Sequence, residues 1–207
     1  MSFDLNLMVG RIERMKNHPT MLVLVGMPGA GKSSCVEYLE TKGIPNAYFG
    51  GVVVNEVKKR YGDDGVTPAR EKLVREEFRE VEGKGAIAKR IIPQLDHLLK
   101  THPRVVADGL YSWAEYKIFK EYYGNKVLIV AITAPRHVRH QRLAHRPIRP
   151  LTEVEVTARE YAEIENIEKG GPIANADYTL NNDGDAAQML QNLDNLLLDT
   201  GFYDPRV

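Results

Sequence analysis

Eight consecutive residues, Gly26-Met27-Pro28-Gly29-Ala30-Gly31-Lys32-Ser33, spell the phosphate-binding pattern G-x-x-x-x-G-K-[ST] without a gap. The glycines let the backbone curl so that successive N–H groups point at phosphate oxygens. A helix opening directly afterwards adds the positive end of its dipole to the same anion. In such a cradle Lys32 reaches the β- and γ-phosphates of a nucleoside triphosphate and the Ser33 hydroxyl holds Mg²⁺, with Ser34 beside it in the first turn. The pattern follows Met21-Leu22-Val23-Leu24-Val25, a short unbroken apolar run of the kind that forms a fully buried strand. Strand, loop and helix in that order are the context the pattern requires, so ATP and Mg²⁺ are the expected ligands.

Asp108 ends a second apolar run, Val105-Val106-Ala107, and precedes Gly109. A carboxylate at the C-terminal end of a parallel strand can join the Mg²⁺ shell or take the proton of an attacking hydroxyl. Both roles stand open for Asp108. Between Pro135 and Pro150 there are five arginines, three histidines and no acidic residue. Arg139, Arg142 and Arg146 fall on one side of the helix expected there. They are the candidates for neutralising a transferring phosphoryl group from a closing cover. A solvated basic helix touching nucleic acid is the alternative, disfavoured by the lack of interleaved aromatics. In the charged helical stretch before the second run, Arg75 and Arg90 are the candidates for binding a phosphoryl acceptor.

The elements that must position these groups alternate. A helix is expected over residues 34–42, a strand over 47–49, and a helix from Thr67-Pro68 to about residue 100, interrupted at Gly83 and Gly85. A strand follows over residues 104–107. Ser112 and Glu115 form a capping box for the next helix, and residues 126–133 form a strand. A helix is expected over 135–146, and Thr152 and Glu155 cap another that fades at Gly170-Gly171. A last strand lies near Tyr178-Thr179-Leu180. Ala186, Met189, Leu190, Leu193, Leu196 and Leu197 then repeat with helical period. Alternating strands and helices imply an α/β domain, a parallel sheet covered on both faces.

The 207 residues suit one such domain, expected over 1–207, with an amphipathic N-terminal helix in 1–19, an acceptor-binding insertion at 51–100 and a lid at 135–150. Formal net charge is zero, which gives no bulk attraction to nucleic acid or an anionic membrane. The single cysteine, Cys35, excludes an internal disulfide and suits a reducing compartment. No stretch approaches the length of a membrane span, so a cytoplasmic protein is expected, acting as monomer or homodimer.

The phosphate loop, Val74-Arg75-Glu76-Glu77, Val106-Ala107-Asp108-Gly109 and Ala176-Asp177-Tyr178-Thr179-Leu180-Asn181-Asn182 together resemble the dephospho-CoA-kinase-like branch of P-loop kinases, relatives of the nucleoside monophosphate kinases. The resemblance runs loosely from Met21 to Leu198. It implies the three-layer α/β/α P-loop fold with a five-stranded parallel sheet in the order 2-3-1-4-5, an arginine-bearing lid, and Asn181 and Asn182 near the adenine. One position departs. Where such kinases carry an aspartate after the second strand, this chain reads Phe49-Gly50-Gly51-Val52-Val53, which moves any base role towards Asp108. The expected activity is transfer of the γ-phosphoryl group of ATP to a small nucleotide or metabolite. A nucleotide-gated ATPase or switch without an acceptor is the alternative.

Overall fold

The computed structural model describes residues 18–203; the amphipathic segment expected in residues 1–19 lies almost wholly outside them. Five strands, β1 (Met21–Val25), β2 (Asn46–Tyr48), β3 (Val105–Asp108), β4 (Val127–Thr133) and β5 (Tyr178–Asn181), form one parallel sheet in the order β2-β3-β1-β4-β5. The apolar runs are unbroken because both faces are covered. Met21, Val23 and Val25 of β1 pack into one core with Ala107, Ile129 and Ala131. Leu22 and Leu24 pack into the other with Val106, Val130 and Ile132.

The helices over the first face are α2 (Phe49–Tyr61), α3 (Pro68–Glu82), α4 (Ala86–Thr101) and α5 (Trp113–Tyr123). The second face is covered by α1 (Lys32–Thr41) and α9 (Ala186–Asp199), whose Met189, Leu193 and Leu197 are buried at helical spacing. The remaining helices, α6 (Arg136–His145), α7 (Glu153–Glu165) and the short α8 (Gly170–Ala174), include the expected lid. This is the three-layer α/β/α arrangement expected from the sequence.

Local expectations hold where caps are strong. Ser112 and Thr152 each accept from the backbone N–H three residues on, while Glu115 and Glu155 reach back, completing both capping boxes. Two assignments change. Phe49 opens α2 instead of closing β2, with Tyr48 as the last strand residue. Gly50 and Gly51 look like a break in the sequence, but Gly50 is small for a reason. The Tyr48 ring folds over the start of the helix, and a Cβ on Gly50 would lie 2.3 Å from it. The helix after Thr152 ends at Glu165, and Gly170-Gly171 start α8 instead of closing α7.

Cys35 is fully buried on the inner face of α1, its thiol 3.3 Å from the Met189 sulfur, and burial pushes its pKa up to about 12. That leaves roughly a thousandth of the thiolate an ordinary cysteine carries at the same pH. In native protein at pH 8, a disulfide-exchange reagent should therefore label Cys35 only as fast as the fold opens. Stoichiometric labelling within a minute would contradict this environment.

Candidate phosphate-transfer site

The loop between β1 and α1 is held open as a cradle. Gly29 and Gly31 have φ of +78° and +104°, in the left-handed region that side chains strain to enter. Space forbids a side chain as well. A Cβ on Gly29 would meet the Arg139 carbonyl oxygen at 2.6 Å, and one on Gly31 would meet the Asn182 amide at 2.1 Å. Gly31 caps α1 without a side-chain acceptor, and the first turn carries no acidic residue, so its N–H donors stay available to an anion. Ser33 and Ser34 are exposed in that turn.

Lys32 folds back into the loop and donates to the carbonyls of Gly26 (2.8 Å) and Met27 (3.4 Å). Burial first and then the nearby charge of Lys169 lower its pKa, against the opposing pull of Asp108 and Glu163, to about 7. An ammonium so destabilised gains most when an anion arrives beside it. Asp108 stands at the end of β3, in register with Leu24 of β1 and Tyr48 of β2. Its carboxyl is half-buried and, among the described residues, makes no side-chain hydrogen bond. Burial raises its pKa, while Lys32 and Lys169 hold it down. The cradle thus fits a polyphosphate, and Ser33 with Asp108 fits a Mg²⁺ whose other ligands are phosphate and water. No cluster of three or more His, Cys, Asp or Glu suited to a metal occurs among the described residues.

Three arginines expected on one cover have three different situations. Arg139 is buried, donating to the carbonyls of Ala134 (3.1 Å) and Pro28 (3.4 Å) and pairing with Glu160. Its guanidinium is committed to pinning the loop. Arg142 donates to Asn182 Oδ1 (3.3 Å), and its Nη1 is buried without a partner among the described residues. Asn182 in turn donates to the Ala30 carbonyl at 2.8 Å, so it supports the loop from β5. Arg146 bonds the Arg149 carbonyl, and burial and then the charges of Arg159 and Arg149 lower its pKa. Arg149 and Arg159 each have a carboxylate partner, Glu71 at 3.8 Å and Glu163 at 3.0 Å, whereas Arg146 has none among the described residues.

On the insertion side, Arg75 is half-buried on the face of α3 that also carries Arg79, whose Nε is buried and has no partner among the described residues. Arg90 bonds Glu82 at 2.8 Å and stacks 3.7 Å over the Phe78 ring, so its guanidinium already has partners.

Sequence similarity can be weighed against this geometry. The family model described as an AAA domain matches residues 22–167. The UPF0200 protein of Thermococcus sibiricus is 33% identical over 181 residues, covering 85% of this chain and 93% of the relative. The chain belongs to the UPF0200 family. Another relative, the UPF0200/UPF0201 protein of Archaeoglobus fulgidus, is 33% identical over 184 residues, and there the chain spans 55% of the relative's length. Those names state no reaction. Among solved structures, the UPF0200 chain resembles a shikimate kinase from Acinetobacter baumannii (TM-score 0.54, 21% identity, 92% of this chain and 99% of that one). It also resembles a gluconokinase from Sinorhizobium meliloti (TM-score 0.54, 18% identity, 89% and 97%). At such identities the likeness establishes a kinase-like P-loop fold.

Four groups of this UPF0200 site escaped the sequence: Glu160, Glu163, Arg159 and Lys169. Glu160 lies 21 positions beyond Arg139, yet Arg136, Arg139 and His140 all converge on it. Nothing local to α6 announces a partner on α7. Lys169 precedes two glycines and looks like an ordinary basic residue at a helix end, but it is 1% exposed.

Proposed function

We propose that this chain is an ATP-dependent phosphotransferase acting on a small-molecule acceptor. The observation that carries the reading is Asp108. A half-buried carboxyl that makes no side-chain hydrogen bond among the described residues stands at the end of the strand beside the phosphate cradle, where it can join the Mg²⁺ shell or take an acceptor's proton. The folds of the small-molecule kinases above lend support.

The loop amides and Lys32 bind and orient the donor phosphates; Arg142 and Arg146 supply N–H donors to the equatorial oxygens of the transferring group. Arg139 acts through Pro28, keeping the loop in shape. Ser33, with Asp108 in its metal-shell role, would hold Mg²⁺, which would supply charge neutralisation to the polyphosphate. As the acceptor oxygen forms its bond to the γ-phosphorus, the bond from that phosphorus to the bridging oxygen breaks and ADP leaves. Where the acceptor is a hydroxyl, Asp108 takes its proton in the alternative role, as a base in place of a metal ligand. A phosphate acceptor already ionised needs no such base, and the missing carboxylate in Phe49–Val53 suits it better than dephospho-CoA. Arg75, with Arg79 one turn away, is assigned to the acceptor side.

The test is ATP consumption with Mg²⁺ against a panel of nucleoside monophosphates, nucleosides, dephospho-CoA, gluconate and shikimate. One acceptor raising turnover well above the water background names the reaction. Tight ATP binding with no acceptor effect across the panel overturns the transferase reading in favour of a nucleotide-gated switch.

A further inference from the structure

Lys169 has no part in the steps above, and its burial calls for a reason. Its ammonium has three donors and, among the described residues, one hydrogen-bonding partner, Glu163. A second favourable contact is the face of the Tyr111 ring, 4.8 Å from Nζ. Glu163 is itself shared, accepting from Arg159 at 3.0 Å, so two cations divide one carboxylate. As a stabilising device this is poor. A buried ion pair commonly contributes less than apolar side chains of the same volume.

The backbone is bent to put the lysine there. Glu168 has φ of +57°, one of only two non-glycine residues among those described with positive φ. The bend is tied by Lys84, 2.8 Å from the Glu168 carboxylate, and by the Lys169 N–H donating to the Glu163 carbonyl at 3.1 Å. Strain of this kind persists where the surroundings over-determine it, and it gathers at working sites.

The lysine also has a definite side. Arg142 and Asn182 meet the phosphate loop from the flank of β4 and β5. Tyr111, three residues beyond the end of β3, packs edge-on against Phe49, the first residue of α2, 6.4 Å between ring centres. Lys169, seated on that ring at the start of α8, which packs against β4 and α5, therefore stands on the Tyr111 side of the loop, and its charge acts on both Asp108 and Lys32. The donor's phosphates occupy the loop. What approaches the γ-phosphate from the side of Tyr111 is the acceptor.

We infer that Lys169, seated on Tyr111, is the anion-binding residue of the acceptor subsite, and that the acceptor carries a phosphate or carboxylate group which draws the ammonium from Glu163. This rests on the phosphotransferase reading for the word acceptor, but the anion subsite stands or falls separately. Glu163 keeps Arg159 as its partner when the lysine turns, so the exchange strands no carboxylate.

The molecule holds its own reporter. Trp113, the single tryptophan, lies against Gly171, two residues from Lys169, where a Cβ would come within 2.9 Å of the indole. The full chain is first saturated with Mg²⁺ and a non-hydrolysable ATP analogue, which fills the loop. Inorganic phosphate and acetate are then titrated separately while Trp113 fluorescence is followed, with sodium chloride at matched ionic strength as control. We expect a saturable change with one of the two anions, which identifies phosphate or carboxylate as the group. In Lys169→Met its affinity should fall at least tenfold, while Lys169→Arg stays within about threefold of the parent. The affinity for the ATP analogue should change less than twofold in both variants. Titrations indistinguishable from chloride, or a Lys169→Met curve that superimposes on the parent, overturn the inference. An equal loss of nucleotide affinity overturns it too, because Lys169 then serves the donor. Anion binding that depends on Lys169 without any acceptor-stimulated turnover keeps the subsite and removes the kinase reading. Turnover stimulated by a neutral acceptor does the reverse.

Discussion

With Lys32 replaced by methionine, acceptor-stimulated ATP turnover should fall by on the order of 10²- to 10³-fold, as when one preorganised donor to developing charge is removed elsewhere. The melting temperature of the nucleotide-free protein at neutral pH should hold or rise. The two halves of this expectation have one cause. The ammonium is bonded to the Gly26 and Met27 carbonyls, yet burial and the charge of Lys169 still depress its pKa to about 7. The resting fold is therefore working against this charge, and an apolar chain of similar length relieves it. Steady-state turnover and a thermal melt on the same preparation check both. A variant that loses activity and stability together would show that Lys32 is a structural tie of the loop and not a group poised for phosphate. A variant with turnover within threefold of the parent would remove Lys32 from the mechanism.

The fold was legible because its signals are local. Each long strand is an apolar run bounded by glycine, proline or polar residues, and β1 and β4 are apolar on both faces because both faces are covered. The cradle was legible for the same reason, being eight contiguous residues. Helix α2 was legible and still missed: Phe49, Val53 and Val57 recur at spacings of four and are buried together, but Gly50-Gly51 masked the period. What no local pattern carries is pairing across elements. The basic stretch from Pro135 to Pro150 has no acid of its own, so its arginines look free in sequence. In the fold, Arg136, Arg139 and His140 are all drawn to one carboxylate on the next helix. Likewise Lys169 owes its place to a left-handed bend at Glu168, a residue type that does not advertise one. Within the expected lid, Arg139 is thus a buttress, tied to the Pro28 carbonyl and to Glu160.

Removing that buttress should be the costliest single change outside the core. Glu160 is buried, and in Glu160→Ala the Arg139 guanidinium, itself 11% exposed, is left without its counter-charge. Breaking a buried pair from one side costs about 3–5 kcal/mol, a fall in Tm of about 6–20 °C for a chain of this size. The pH dependence has a definite sign. Burial pushes the Glu160 pKa up, but hydrogen bonds from His140, Arg136 and Arg139 outweigh it and leave the carboxyl below its ordinary 4.5. Its contribution is complete above that value and is lost as pH falls through the lower folded one, so parent and variant should converge under acid. A gap in Tm that persists unchanged well below pH 4 would contradict the ion pair as its source. Stability and function then separate in the double variant Glu160→Leu with Arg139→Met. Replacing both partners by apolar chains should restore more than half of the lost stability. It should not restore nucleotide affinity, because the bond from Arg139 to the Pro28 carbonyl is gone and the loop loses its tie to α6. If affinity returns together with Tm, the loop holds its shape without Arg139. The sole contribution of that arginine would then be to satisfy Glu160, and the phosphate cradle would rest on Asn182 and its own glycines.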